Sequence, residues 1–222
     1  MNSTIILKGN ILYTPRTSEF ISIQHGYIIA VDGVVVYCGE SIPPAYEECE
    51  VTDYGDNLII PGFVDTHAHA PQYCNRGLGM DKELLPWLET YTFPEEAKFS
   101  DPDYARLVYG AFVQDLWRNG TTRSILFGTI HKESTLVLME LLQKAGLSAY
   151  VGKVNMDRNS PDFLIEETNQ SLVDTKEWLE KSVPFGPLVK PIITPRFVPS
   201  CTSELMSGLG KLAEEYNVPI QS

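Results

Sequence analysis

The chain has 222 residues, 43% hydrophobic and 21% charged, which excludes wholesale disorder, collagen and coiled coil and leaves room for one or two domains. Lys plus Arg number 17 against 29 Asp plus Glu, a formal net charge of -12, so neither a nucleic-acid groove nor a patch for anionic membranes is expected. No apolar run reaches a membrane span, no basic segment with a long apolar run opens the chain, and Cys38, Cys49, Cys74 and Cys201 form no C-x-x-C pair. A cytoplasmic protein with reduced thiols is the expectation.

The first sixty residues predict short strands: ILKGNILYT, EFISIQHGYIIAVDG and VVVYCGE alternate apolar and polar residues. His25-Gly26 and Asp32-Gly33 read as tight turns, and Pro43-Pro44 with Glu47, Glu48 and Glu50 as a surface loop. From NLIIPGFVDTHAHA onward the pattern changes. Nearly continuous apolar strands are predicted over 61–69, 121–128, 149–156 and 190–198, with a fifth, VPIQS, starting at Val218. Helices alternate with them. Asp101-Pro102 reads as an N-cap with Pro in the first turn, followed by Leu107, Val108, Ala111 and Phe112 on one face and Gly120 as a stop. Leu138, Leu141, Leu142 and Ala145, ending at Gly146, mark another helix, and Leu205, Leu209, Leu212 and Ala213 one more.

Repeated strand–helix units predict an α/β fold. Four units and the start of a fifth fit the first half of a (β/α)₈ TIM-type barrel, which needs eight strands. The expected organisation is an N-terminal β-domain over residues 1–60 and a partial barrel over 61–222 that breaks off in its fifth strand. An unpaired final strand would make such a chain prone to association.

The strongest chemical signal is PGFVDTHAHAPQY. His67 and His69 stand two apart at a strand end, so both imidazoles face the same side. Nitrogens so placed can share a Zn²⁺ ion, and the carboxyl end of a barrel strand is where active sites lie. The competing reading is two histidines satisfied by ordinary hydrogen bonds.

This stretch resembles the first barrel strand of the amidohydrolase superfamily. WLETYTFPEEAKF, YVGKVNMD, VKPIITPRFVPSC and ELM…LGKLAEEYNVPIQS extend the resemblance to the guanine deaminase family, over residues 59–222. The N-terminal segment resembles, less specifically, the small β-sandwich-like domain that flanks such barrels. The resemblance implies that His67 and His69 hold zinc and that Gln72 contacts the purine. It implies that Arg196 and Phe197, in TPRF, hydrogen-bond and pack the guanine base. That assignment suits guanine, whose O6 and N7 accept hydrogen bonds from an Arg fork, and whose flat ring suits a Phe face. A salt-bridged surface Arg and a core Phe are the competing readings.

The implied reaction is zinc-dependent hydrolysis of guanine to xanthine and ammonia, in a homo-oligomeric parent protein. The family's third metal histidine, its proton-shuttling Glu, a later His and its metal-binding Asp fall beyond Ser222, so the chain alone is expected to be inactive. Arg123 departs from the family's run of Thr, with no role assigned. Another aminohydrolase or chlorohydrolase of the superfamily, or a non-catalytic scaffold on the same fold, remain as alternatives.

Other candidates are weaker. His25 is expected in a turn and His131 at an exposed helix start. His131-Lys132-Glu133 matches the H-x-E of the other zinc-deaminase fold, but the P-C-x-x-C partner is missing. Cys74 and Cys201 are expected as loop or buried thiols. Glu166, Glu167, Asp174, Lys176 and Glu177 are expected on a solvated helix face.

Overall fold

Alternation of apolar and polar side chains in the N-terminal segment produces four strands in the computed structural model, which describes residues 3–222. They are β1 (Thr4–Arg16), β2 (Glu19–Val31), β3 (Val34–Gly39) and β4 (Val51–Ile59). They form one sheet in the order β3-β2-β1-β4, antiparallel except for the parallel β1–β4 pair. This unit ends at Gly62, and its core holds Ile6, Ile11 and Ile29. Asp32 and Gly33 have φ of 51° and 79°, the left-handed pair a two-residue hairpin requires. His25-Gly26 is not a turn. His25, φ 50°, sits inside β2, where the register advances two residues on β1 (Gly9 to Ile11) against three on β2 (Gly26 to Ile23). This is a bulge, braced by the His25 amide donating to Asn10 Oδ1 at 3.1 Å. Among the described residues the unit holds this single sheet rather than two packed layers.

The second unit runs from Phe63 to Ser222. Its strand β5 (Phe63–His69) is followed by a 3₁₀ stretch over Ala70–Asn75 and by α1 (Leu84–Trp87). A π-helical turn, Leu88–Thr92, then leads into α2 (Phe93–Ala97). Next come α3 (Pro102–Arg118), β6 (Thr121–Phe127), α4 (Lys132–Lys144), β7 (Ser148–Gly152) and β8 (Val154–Asn155). The rest is α5 (Thr168–Ser182), β9 (Val189–Pro191), β10 (Thr194–Pro195) and α6 (Ser203–Tyr216). Strands β5-β6-β7-β9 make a parallel sheet whose spatial order follows chain order, and β8 pairs in parallel with β10. The mixed α/β fold with a parallel sheet is as expected.

Local chemistry explains the helices. The Asp101 carboxylate accepts from the Asp103 amide at 2.9 Å, capping α3. Val108, Tyr109, Phe112 and Leu116 of α3, Leu138, Met139 and Leu142 of α4, Trp178 of α5 and Leu205 and Leu209 of α6 are buried with Leu126, Val151 and Ile193 of the strand layer. Each such side chain contributes about 1.5–3 kcal/mol relative to an exposed one. Gly120 and Gly146, φ 71° and 70°, end α3 and α4, and α6 ends on Asn217 at φ 49°.

Two expected strands are each split. The run 149–156 breaks at Lys153 and the run 190–198 at Ile192-Ile193, because the pairing partner changes from β7–β9 to β8–β10 there. The strands approach closely at this point: a Cβ on Gly152 would lie 2.7 Å from the Ile192 carbonyl oxygen. VPIQS contributes a parallel bridge, Ile193 to Ile220. The Gln221 side chain donates to Leu126 O at 3.0 Å and to Thr194 Oγ1 at 2.9 Å.

Candidate active site

Strand alternation puts His67 and His69 on one side at the end of β5, and register pairs His69 with Phe127 at the end of β6. The imidazole centroids are 5.2 Å apart. The Phe127 ring stacks on His69 at 4.3 Å and meets His67 edge-on at 5.0 Å. Burial first, then the positive charge of Arg196 and the neighbouring His67, pulls the His69 pKa down to about 3. The ring is therefore neutral, the form that ligates metals. Its Nδ1 is buried with no hydrogen-bond partner. Two imidazoles facing one side, one carrying an orphaned buried nitrogen, fit part of a zinc site. Among the described residues no group of three His, Cys, Asp or Glu converges on a common point, whereas a catalytic zinc takes three protein ligands.

Arg196 and Phe197 follow β10 directly. The Arg196 amide donates to Asn155 O at 3.1 Å, which ties it to the end of β8. Its side chain is buried, and its fork donates from Nη1 and Nη2 to Glu96 Oε2 and Oε1 at 2.5 and 3.0 Å. The Phe93 ring lies 5.2 Å from the guanidinium carbon. Phe93 and Glu96 are three apart on α2 and share a face, so this short helix holds Arg196 through both. Gln72 Nε2 also faces the Glu96 carboxylate, at 3.4 Å.

His67, His69, Gln72, Arg196 and Phe197 all line one cavity of about 280 Å³, together with Trp87, Leu88 and Phe127. A larger cavity of about 450 Å³ shares His69, Gln72 and Trp87 but reaches neither Arg196 nor Phe197. The smaller one is the better candidate because it joins the histidine pair to a charged donor and an aromatic face.

A family model described as the amidohydrolase family matches residues 58–222. The chain belongs to this family. A guanine deaminase from Dictyostelium discoideum is 52% identical over 177 residues, 79% of this chain and 39% of the relative. One from Mus musculus is 44% identical over 231 residues, 98% of this chain and 50% of the relative. The crystal structure of guanine deaminase from C. acetobutylicum with bound guanine in the active site aligns with a TM-score of 0.95 at 52% identity, covering 99% of this chain and 52% of that one. The chain spans about half the length of the curated relatives it matches.

Glu166 and His131 of this amidohydrolase chain lie where the sequence did not lead, whereas Glu167, Lys176 and Glu177 are exposed as expected. Glu166 is not on a solvated face. It precedes α5, and its Oε1 accepts from Lys153 Nζ at 2.6 Å, with the Lys153 side chain 0% exposed. Its Oε2 accepts from the Met156 amide and Ser171 Oγ. Glu167 caps α5 through the amides of Asn169 and Gln170, and Asp174 and Glu177 pair with Lys132. His131 is half-buried with an unpartnered Nε2, and burial, then the Lys153 charge, pushes its pKa down. Cys201 is buried and Cys74 exposed; nothing in the structure explains the exposed Arg123.

Sequence reasoning missed Glu96, Lys153 and Asp157. Asp157 accepts from the Thr202 amide at 2.7 Å and from the hydroxyls of Thr202 and Thr168, joining the starts of α5 and α6. Arg158 and Asn159 add donors to the carbonyls of Val198 and Pro199, so this segment braces the loop that follows Phe197. The one available signal was the Pro94-Glu95-Glu96 run, which reads equally well as an acidic first helical turn.

Proposed function

We propose that the chain carries the histidine pair and the base-binding side of a zinc-dependent guanine deaminase, a hydrolase that converts guanine to xanthine and ammonia in the cytoplasm. The observation that carries this reading is the convergence of His67, His69, Gln72, Arg196 and Phe197 on one cavity of about 280 Å³. The similarity to guanine deaminases over nearly the whole chain supports it. In this reading residues 61–222 are the first half of a (β/α)₈ barrel and residues 1–60 belong to a flanking β-domain. The site lies at the carboxyl ends of the parallel strands, as in other such barrels.

His67 and His69 hold the zinc, which when bound supplies Lewis-acid activation of water near neutral pH. Arg196 donates to the acceptor edge of guanine with the N–H groups that Glu96 leaves free. Phe197 packs the ring face, Gln72 adds a polar contact, and Trp87, Leu88 and Phe127 keep bulk water from the cavity. The complete protein carrying this chain, loaded with zinc, is expected to release xanthine from guanine. Absence of xanthine from a folded, zinc-containing preparation overturns the proposal.

A further inference from the structure

Glu96 is 1% exposed and does not line the cavity, yet it touches both polar residues proposed to read the base. Both its oxygens receive the Arg196 fork, at 2.5 and 3.0 Å, and Oε1 also faces Gln72 Nε2 at 3.4 Å. A buried carboxylate left alone is costly, and a two-point contact with a guanidinium compensates only in one orientation of the fork. Glu96 therefore fixes the plane of the guanidinium from behind. It fixes the Gln72 amide as well. A carboxylate can only accept, so the Gln72 NH₂ turns toward Glu96 and the amide carbonyl is left for the cavity. The wall then presents a donor, Arg196, beside an acceptor, Gln72. A 6-oxopurine offers the complement, an acceptor O6 beside a donor N1–H. A 6-aminopurine offers the reverse, an amino donor beside an acceptor N1.

We propose that Glu96 is a positioning residue that sets purine specificity, holding Arg196 and Gln72 so that the cavity wall matches a 6-oxopurine and mismatches a 6-aminopurine. This rests on the guanine reading of the site. Glu96 lies 100 residues from Arg196 in sequence and acts through it rather than on the base.

The test uses the complete protein carrying this chain, with guanine as substrate and adenine as competitive ligand. In Glu96→Gln the charge is lost and the new amide can rotate, so the fork and Gln72 both lose their fixed orientation. Losing a hydrogen bond to a charged group predicts a rise in KM for guanine of roughly ten- to a hundredfold, with kcat changed much less. Zinc content should stay at the wild-type level and adenine should bind as well as before or better, so the preference for guanine narrows. Glu96→Asp keeps the charge but is one methylene short, and should fall between the two. It carries the same comparison if Glu96→Gln does not accumulate as folded protein. A purely structural Glu96 would lower the melting temperature and the active fraction while KM and the guanine-to-adenine preference stay unchanged, and that result overturns the proposal. Arg196→Ala separates the two readings. If it leaves the guanine KM unchanged, the guanine reading of the site fails. If it raises KM while Glu96→Gln and Glu96→Asp do not, the role of Glu96 alone fails.

Discussion

Lys153→Met tests whether the buried Lys153–Glu166 pair behaves as its geometry requires. Lys153 Nζ reaches Glu166 Oε1 at 2.6 Å and Val154 O at 3.1 Å, and the two side chains are 0% and 9% exposed. Met matches the Lys stem in length and fills its volume, so little cavity forms. What remains is a buried Glu166 carboxylate that has lost its cation. Breaking one side of a buried pair costs about 3–5 kcal/mol. Glu166 keeps the Met156 amide and Ser171 hydroxyl as donors, so the lower end, about 3 kcal/mol, is expected. That is roughly a hundredfold in the unfolding equilibrium, with a corresponding fall in Tm. Adding Glu166→Gln to Lys153→Met removes the stranded charge and should recover much of the loss. Thermal and denaturant unfolding of the complete protein, followed by circular dichroism, reads both variants. A loss under about 1 kcal/mol for Lys153→Met, the range of exposed pairs, or a double variant worse than the single one, refutes the reasoning.

His67→Ala should lower zinc content measured by elemental analysis, whereas Arg196→Lys should keep zinc and lose roughly ten- to a hundredfold in kcat/KM for guanine, because a point charge cannot replace the planar fork. Hydrogen bonds from Thr202 and Thr168 outweigh burial and hold the Asp157 carboxyl below its ordinary value of 3.8. Its contribution is fully present above pH 3.8 and is lost as pH falls below that toward the lower folded value. Asp157→Asn should therefore cost about 1–2 kcal/mol at pH 7 and flatten the acid limb of stability below pH 3.8, read by unfolding at stepped pH. Gly152→Ala would bring a methyl within 1.7 Å of Thr194 Oγ1 and 2.7 Å of the Ile192 carbonyl oxygen. A loss of about 3 kcal/mol or more is expected, visible in soluble yield and Tm.

Local patterns in the chain alone determined the α/β class, the capped helix starting at Asp101-Pro102 and the His-x-His pair at a strand end. Each of these depends on neighbours within a few residues: strand alternation, one cap, one turn of helix. TPRF marked Arg196 and Phe197 through resemblance, with no information on what surrounds them. Tertiary structure decided the rest. The partner of Arg196 is Glu96, 100 residues away, and no spacing rule links a carboxylate in a Pro-Glu-Glu run to an arginine after a distant strand. Glu166 looked solvated because acidic residues near a helix start usually are. It is buried because Lys153, in an apolar strand run, has its ammonium in the interior and needs a counter-charge. His25-Gly26 looked like a turn because both residues tolerate left-handed backbone, and only the pairing of β1 with β2 made it a bulge. Periodicity records which side a residue faces. Which side chains meet across the cavity depends on strand order and helix placement, and these are settled when the whole core packs.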